Sequence, residues 1–246
     1  MNLLILAGTT EATDLAKLVA QAGIDATLSY AGRVERTKPQ PLPKRIGGFG
    51  GARGLAEYLR QEEITHVIDA THPFASQMSL NAIQACEDTQ TQLIALTRPE
   101  WEAVQGDQWH CVPTIAAAAR HLQVLAQTSI MLAIGRMHLV EFAIAPQHDY
   151  LLRLVDQVET LPLPNATALF SRGPFSTDDD IELMRAHDIK VLVSKNAGGR
   201  GTYSKIEAAR YLEIPVVMID RPAIPNRAEV HSPKDALEWL VHSETS

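Results

Sequence analysis

Leu3-Leu4-Ile5-Leu6-Ala7 is an unbroken apolar run that stops at Gly8-Thr9-Thr10-Glu11 and passes at once into an amphipathic stretch. That stretch carries Leu15, Leu18, Val19 and Ala22 at spacings of three and four, and Gly23 follows as a helix stop. A short apolar run joined directly to helical periodicity reads as a buried strand, a tight turn and a helix. At such a junction several unpaired backbone N–H groups and the positive end of the helix dipole converge on one point, which favours an anion. Thr9 or Thr10 also suits the helix cap and Glu11 the first turn, so the same residues have a purely structural use. Of the glycine-rich dinucleotide fingerprint only Gly8 is present, and both uses stay open on the turn alone.

The pattern recurs along the chain. Strand signals stand at 26–30, 66–70, 92–96, 130–134, 150–154, 168–170, 191–194 and 216–219, and helical periodicity at 76–86, 115–125, 177–187, 204–212 and beyond Ser232-Pro233. Strands alternating with helices imply parallel sheets covered by helices on both faces. So many strands in 246 residues fit two α/β parallel sheets better than one, with the break near 125–135, although no linker-like composition marks it. The expected domains are 1–128 and 129–246.

Charge and cysteine usage exclude several functions. Acidic residues outnumber basic ones 29 to 22 for a net charge of -7, and neither half is basic, which argues against a nucleic-acid partner. Cys86 and Cys111 lack metal-site or redox-motif spacing, so no metal is expected. No apolar run approaches the about 18 residues of a membrane span, and Met1 leads straight into a strand, so a cytoplasmic protein is expected, with no membrane partner. A P-loop, a nucleophile elbow and HExxH are all missing, and no tyrosine is followed four residues later by lysine, as a short-chain dehydrogenase would need.

The turns after the strands carry the candidate residues. Ser29, Ala31, Gly32 and Arg33 lie at the tip of the second strand with no acid before Glu35; in a dinucleotide fold this favours NADP over NAD. Gly47-Gly48-Phe49-Gly50-Gly51 is costly to order, and points to positive φ or close approach to a ligand, or to a tight turn plugged by Phe49. Asp69, an acid inside an apolar run, is expected to brace the loop Thr71-His72-Pro73, where His72 suits acid–base chemistry or a loop hydrogen bond. Trp101 and Trp109 bracket Gly106-Asp107 in a loop that reads as a lid or a packed turn. Asp178, Asp179 and Asp180 weight a helix N-terminus and read as a solvated run. Lys195 is delivered by an apolar strand into Asn196-Ala197-Gly198-Gly199-Arg200.

In order, Gly8-Thr9-Thr10-Glu11-Ala12, Ala31-Gly32-Arg33, the 47–51 glycines, Asp69 to Ala75, Arg98-Pro99-Glu100-Trp101, Arg172-Gly173-Pro174-Phe175 and Lys195 to Gly199 resemble the precorrin-6A reductases of cobalamin biosynthesis. The resemblance runs from about residue 3 to residue 240, with Ala7 and Ala197 standing where the family often has glycine and serine. It implies two Rossmann-like domains with a cleft between them, NADPH on the first and a macrocycle in the cleft, and reduction of one double bond of precorrin-6A or its cobalt form to precorrin-6B.

On that reading Gly8, Thr9, Thr10, Glu11, Ser29, Ala31, Gly32, Arg33, Gly48, Phe49, Gly50, Thr71, His72 and Pro73 are expected around the cofactor. A substrate rich in carboxylates needs cations, and Arg136, Arg172, Lys195, Arg200 and Lys205 are available, with Asn196, Gly198 and Gly199 beside them. Hydride transfer needs no protein nucleophile, and the proton donor stays open among His72, Lys195, Lys205 and water. A monomer or weak homo-oligomer is expected. A non-catalytic nucleotide- or tetrapyrrole-binding protein is the alternative, because hydride transfer leaves no side-chain signature.

Overall fold

The computed structural model describes residues 1–31, 39–155, 157, 160–171, 173 and 175–243. In chain order the strands are β1 (Leu3–Ala7), β2 (Ala26–Tyr30), β3 (Lys44–Ile46), β4 (His66–Ala70), β5 (Gln92–Leu96), β6 (Trp109–Val112), β7 (Ser129–Ala133), β8 (Asp149–Leu154), β9 (Ala166–Phe170), β10 (Val191–Lys195), β11 (Val216–Ile219) and β12 (Glu229–Val230). The helices are α1 (Thr10–Gln21), α2 (Ala52–Gln61), α3 (Ser76–Thr89), α4 (Ile115–Gln123), α5 (Thr177–Ala186), α6 (Ser204–Tyr211) and α7 (Pro233–Ser243), and 3-10 turns cover Arg136–Ile144. Among the described residues no helix is long and apolar enough to cross a membrane.

The chain forms two compact units, Met1–Pro99 with Ala223–Ser246, and Glu100–Pro222. Unit 1 holds a six-stranded parallel sheet in the order β3-β2-β1-β4-β5-β12. This is the doubly wound order in which the chain reverses direction between its first and fourth strands. Unit 2 repeats it as β9-β8-β7-β10-β11-β6, also parallel, with the reversal between β7 and β10. In each unit the outermost place is filled from an unexpected part of the chain: β12 comes from the C-terminal segment and β6 precedes the other strands of its sheet.

This division differs from the expected break after residue 128. Backbone pairing is the reason: β6 hydrogen-bonds to β11, which takes the chain from Glu100 onward into unit 2, and β12 pairs with β5, which returns the last segment to unit 1. The short strands β3, β6 and β12 have no apolar period of their own and escape a reading based on periodicity.

Alternation along β1 separates the two faces of the unit 1 sheet. Leu3, Ile5 and Ala7 pack with Leu15, Ala16 and Val19 of α1 and with Ala236 and Leu240 of α7. Leu4 and Leu6 pack on the other face with Leu55 and Leu59 of α2 and Ala82 and Ala85 of α3. Because β1 is covered on both sides, all five of its residues are apolar and buried, as expected for a central parallel strand. In unit 2, Met131, Leu192, Val216 and Met218 pack under Ile181 and Met184 of α5 and Ile206 and Ala209 of α6.

Gly54 is fixed by close packing. A Cβ built there would stand 1.7 Å from the Phe49 carbonyl oxygen, so the glycine turn can fold back onto α2 only if this helical position has no side chain. Gly54→Ala would normally gain helix propensity of about 1 kcal/mol. Here it should lose about 1–3 kcal/mol to overpacking, read as a lower urea midpoint. An unchanged or raised midpoint would contradict this packing.

Candidate functional site

The reversal point of unit 1 lies outside the C-terminal ends of β1 and β4, where open α/β sheets take their ligands. Gly8 follows β1, and Thr9 is the N-cap of α1: its Oγ1 accepts from Ala12 N at 3.1 Å and donates to Ala70 O at 3.0 Å at the end of β4. One threonine thus caps the helix and ties the two strand ends together. A Cβ on Gly8 would reach to 3.8 Å from His72 N and 3.9 Å from Thr71 Cα, filling the notch that the glycine leaves open. Thr10 and Glu11 begin α1, so the first-turn N–H groups face the end of this notch with the positive pole of the helix.

Asp69 fixes the opposite wall. It is 2% exposed; its Oδ1 accepts from Thr71 N at 3.1 Å and Thr71 Oγ1 at 2.6 Å, and its Oδ2 from Ser79 Oγ at 2.6 Å and Arg227 Nη1 at 2.5 Å. The expected brace is therefore present, with Arg227 as a partner that its distant sequence position conceals. His72 Nδ1 accepts from Phe74 N at 3.1 Å, which requires Nδ1 to be unprotonated and leaves the ring proton on Nε2. Pro73 lies in the same turn.

Glu11, expected beside the cofactor, pairs with Arg98 Nη2 at 2.7 Å, and both side chains are largely buried. The Arg98 Nε is buried with no hydrogen-bond partner among the described residues. A notch that one Cβ would fill, a helix N-terminus and an unsatisfied guanidinium N–H together fit the diphosphate of a dinucleotide.

At the outer side of this sheet, Ser29 on β2 accepts a hydrogen bond from Arg45 on β3, and the Arg45 guanidinium lies 3.8 Å from the centroid of the Phe49 ring. Phe49 also meets Tyr58 edge-on at 5.2 Å, so it plugs the glycine turn of which Gly48 and Gly50 are part. Ala31 is exposed just past β2. Gly32 and Arg33 lie outside the described residues, as does Arg172 of the second half.

In unit 2, Lys195 ends β10 and the chain turns through Asn196 and Ala197 into Gly198 and Gly199, both left-handed at φ 69 and 70. Two consecutive left-handed residues are steeply unfavourable for anything but glycine. The buried Asn196 side chain clamps Trp101, accepting from its N at 2.8 Å and donating to its O at 3.0 Å, while Trp101 Nε1 donates to Gly199 O at 2.7 Å. Asn196 is thus occupied in holding the loop, and Trp101 is buried packing rather than part of a lid. Asp107 likewise accepts from Arg210 Nε at 2.8 Å, which makes the 106–107 loop a packed turn, and Trp109 belongs to β6. Arg136 and Arg200 are exposed.

Asp180, expected in a solvated acidic run, is fully buried; it pairs with Arg153 of β8 and accepts from Ser204 Oγ at 2.6 Å. Lys205 lies beside it, its Nζ donating to Thr202 O at 2.6 Å and standing 4.8 Å from the centroid of the Trp101 ring. Burial lowers the Lys205 pKa to about 7, with Asp180 opposing the shift and Arg153 adding to it. Periodicity could not reveal this cluster, because its members lie on three elements. Among the described residues no group of three His, Cys, Asp or Glu side chains could hold a metal ion.

With this geometry in hand, comparison with known proteins is specific. The family model described as "Precorrin-6x reductase CbiJ/CobK" matches residues 2–241. The chain is 52% identical over 241 residues to the Precorrin-6A reductase of Rhodobacter capsulatus, covering 98% of this chain and 96% of that protein. It is 30% identical over 259 residues to the Cobalt-precorrin-6A reductase of Priestia megaterium, covering 98% and 97%. A solved structure of CobK precorrin-6A reductase superposes with a TM-score of 0.93 at 51% identity over 98% of this chain and 97% of that one.

The Lys205 cage makes a pH prediction. Its folded pKa of about 7 lies below the ordinary lysine value of 10.5, so above pH 7 the unfolded chain binds more protons and stability rises with pH. From pH 7 to 8.5, the unfolding free energy of the wild type should rise by up to about 1.4 kcal/mol per pH unit from this group. Toward the upper end of that window the Cys86 thiol, raised by burial from an ordinary value of 9.0 to about 12, begins to oppose the trend. Lys205→Met should flatten the rise; an equal slope in both proteins would contradict the cage.

Proposed function

The chain belongs to the precorrin-6x reductase family, and from that premise we propose that it reduces one carbon–carbon double bond of precorrin-6A with NADPH, in cobalamin biosynthesis. The higher identity to the relative named for precorrin-6A than to the one named for its cobalt form favours the former as substrate. The single observation that carries the cofactor reading is the notch at Gly8, bounded by Thr71, His72 and the N-terminus of α1.

Bound NADPH supplies the hydride to one carbon of the double bond. Gly8 lets the backbone approach the diphosphate, and the N–H groups of the first turn of α1 bind it. Arg98, anchored by Glu11, adds a positive charge with one N–H to spare. His72 offers Nε2–H as a donor from a loop that Asp69 holds in place. In unit 2, Lys195, Arg136 and Arg200 are the cations for the acetate and propionate groups of the macrocycle, with Arg172 as a further candidate.

The second carbon of the double bond must take a proton. Lys205 is buried with its Nζ donating to Thr202 O against the Trp101 ring, so the proton is assigned to His72, Lys195 or water rather than to Lys205. Gly198 and Gly199 shape the loop after Lys195, and Trp101 excludes water from the Lys205 side chain.

Mixed with precorrin-6A, the purified chain should oxidise one NADPH per substrate reduced, with NADH at least about tenfold slower, a difference of about 1.4 kcal/mol. Lys195→Ala should raise KM for the macrocycle by about tenfold, the loss of one charge-assisted contact, with an unchanged melting temperature. Binding of NADPH and macrocycle without oxidation would make the chain a carrier. Equal rates with NADH would overturn the choice of cofactor.

A further inference from the structure

Arg45 differs from the other partly buried arginines of unit 1. Arg98 and Arg227 are neutralised by Glu11 and Asp69, whereas Arg45 has no carboxylate partner among the described residues. Its Nη1 donates to Ser29 Oγ at 2.7 Å and Gly47 O at 3.0 Å, and its Nη2 to Gly48 O at 3.3 Å, all neutral acceptors. The guanidinium lies over the Phe49 ring, 3.8 Å from its centroid, and 5.1 Å from that of Tyr58. Stacking and three fixed hydrogen bonds leave this cation little freedom, and its remaining N–H groups form a preset edge for a planar or tetrahedral anion.

The position of this edge identifies the anion. Ser29 and Arg45 are register partners on β2 and β3, next to the β2 tip. In a sheet of this order the tip of the second strand lies beside the adenosine ribose, where an acid would bind a free 2′-hydroxyl. Here Ser29 takes that place; its Oγ accepts from Arg45, so its own hydroxyl hydrogen is available to donate. We propose that Arg45, positioned by Ser29 and Phe49, reads the 2′-phosphate of the adenosine ribose and so sets the preference for NADPH over NADH. This inference rests on the NADPH reading above and moves the specificity-determining residue from the loop at Arg33 to the neighbouring strand.

The test is calorimetric titration of the full chain with 2′,5′-ADP, 5′-AMP, NADPH and NADH, for wild type, Arg45→Met, Arg45→Lys and Arg33→Ala. Wild type should bind 2′,5′-ADP more tightly than 5′-AMP. Arg45→Met should lose about 10- to 100-fold in affinity for 2′,5′-ADP and NADPH, as expected for a charge-assisted contact, while 5′-AMP and NADH stay within about twofold. Arg45→Lys keeps the charge without the planar fork and should show a smaller loss confined to the same two ligands, which gives a reading if the methionine variant fails to fold. An undiminished wild-type preference for 2′,5′-ADP in Arg45→Met, or, if that variant fails to fold, in Arg45→Lys, or a preference abolished only by Arg33→Ala, would overturn the assignment to Arg45. Equal wild-type affinity for 2′,5′-ADP and 5′-AMP would instead overturn the NADPH reading itself.

Discussion

The buried Asp69 carboxylate is the constraint on which unit 1 depends. Taking an ion out of water costs several kcal/mol, and that cost is offset only where its oxygens are satisfied by donors and a counter-charge. Here a backbone N–H, two hydroxyls and a guanidinium supply them from three places in the chain: the loop after β4, the start of α3 and the segment returning toward β12. The carboxylate thereby holds Thr71 and His72 against Gly8 and links the C-terminal return segment to the centre of the sheet. The same arrangement that stabilises the fold brings the Thr71–His72 backbone close beside Gly8 at a helix N-terminus.

Unit 2 solves a related problem with different groups. Its loop after β10 is held by an amide clamp between Asn196 and Trp101 rather than by a carboxylate, and its buried acid, Asp180 on α5, accepts instead from Ser204 of α6. Arg153 already neutralises Asp180, so Lys205 has no full counter-charge to itself, and desolvation brings its ammonium to the edge of deprotonation. The two units share a strand order, and in the first the central strand β1 runs straight into a Gly–Thr helix start with Thr9 as the side-chain cap.

The central strands were legible because each is a short apolar run covered on both faces; β4, β5 and β11 match the sequence reading to the residue, and β1 is its opening run. The edge strands were not, because β3, β6 and β12 face solvent on much of their surface and are held by pairing with residues far away in sequence. The same physics limits the reading of the site. Gly8, Thr9 and Asp69 announce themselves through local chemistry, a glycine between strand and helix or an acid within an apolar run. The parts played by Arg45, Arg227 and Asp180 depend on partners up to 158 residues distant, and in a linear sequence they are ordinary charges.

Hydrogen–deuterium exchange of the full chain, with and without saturating NADP, addresses the central claim that the cofactor sits in the Gly8 notch. Slower exchange should appear in the peptides covering Gly8–Ala12 and Thr71–Ala75 together, because one bound diphosphate would close both walls. Saturation that leaves both peptides unchanged, with protection elsewhere, would contradict the account.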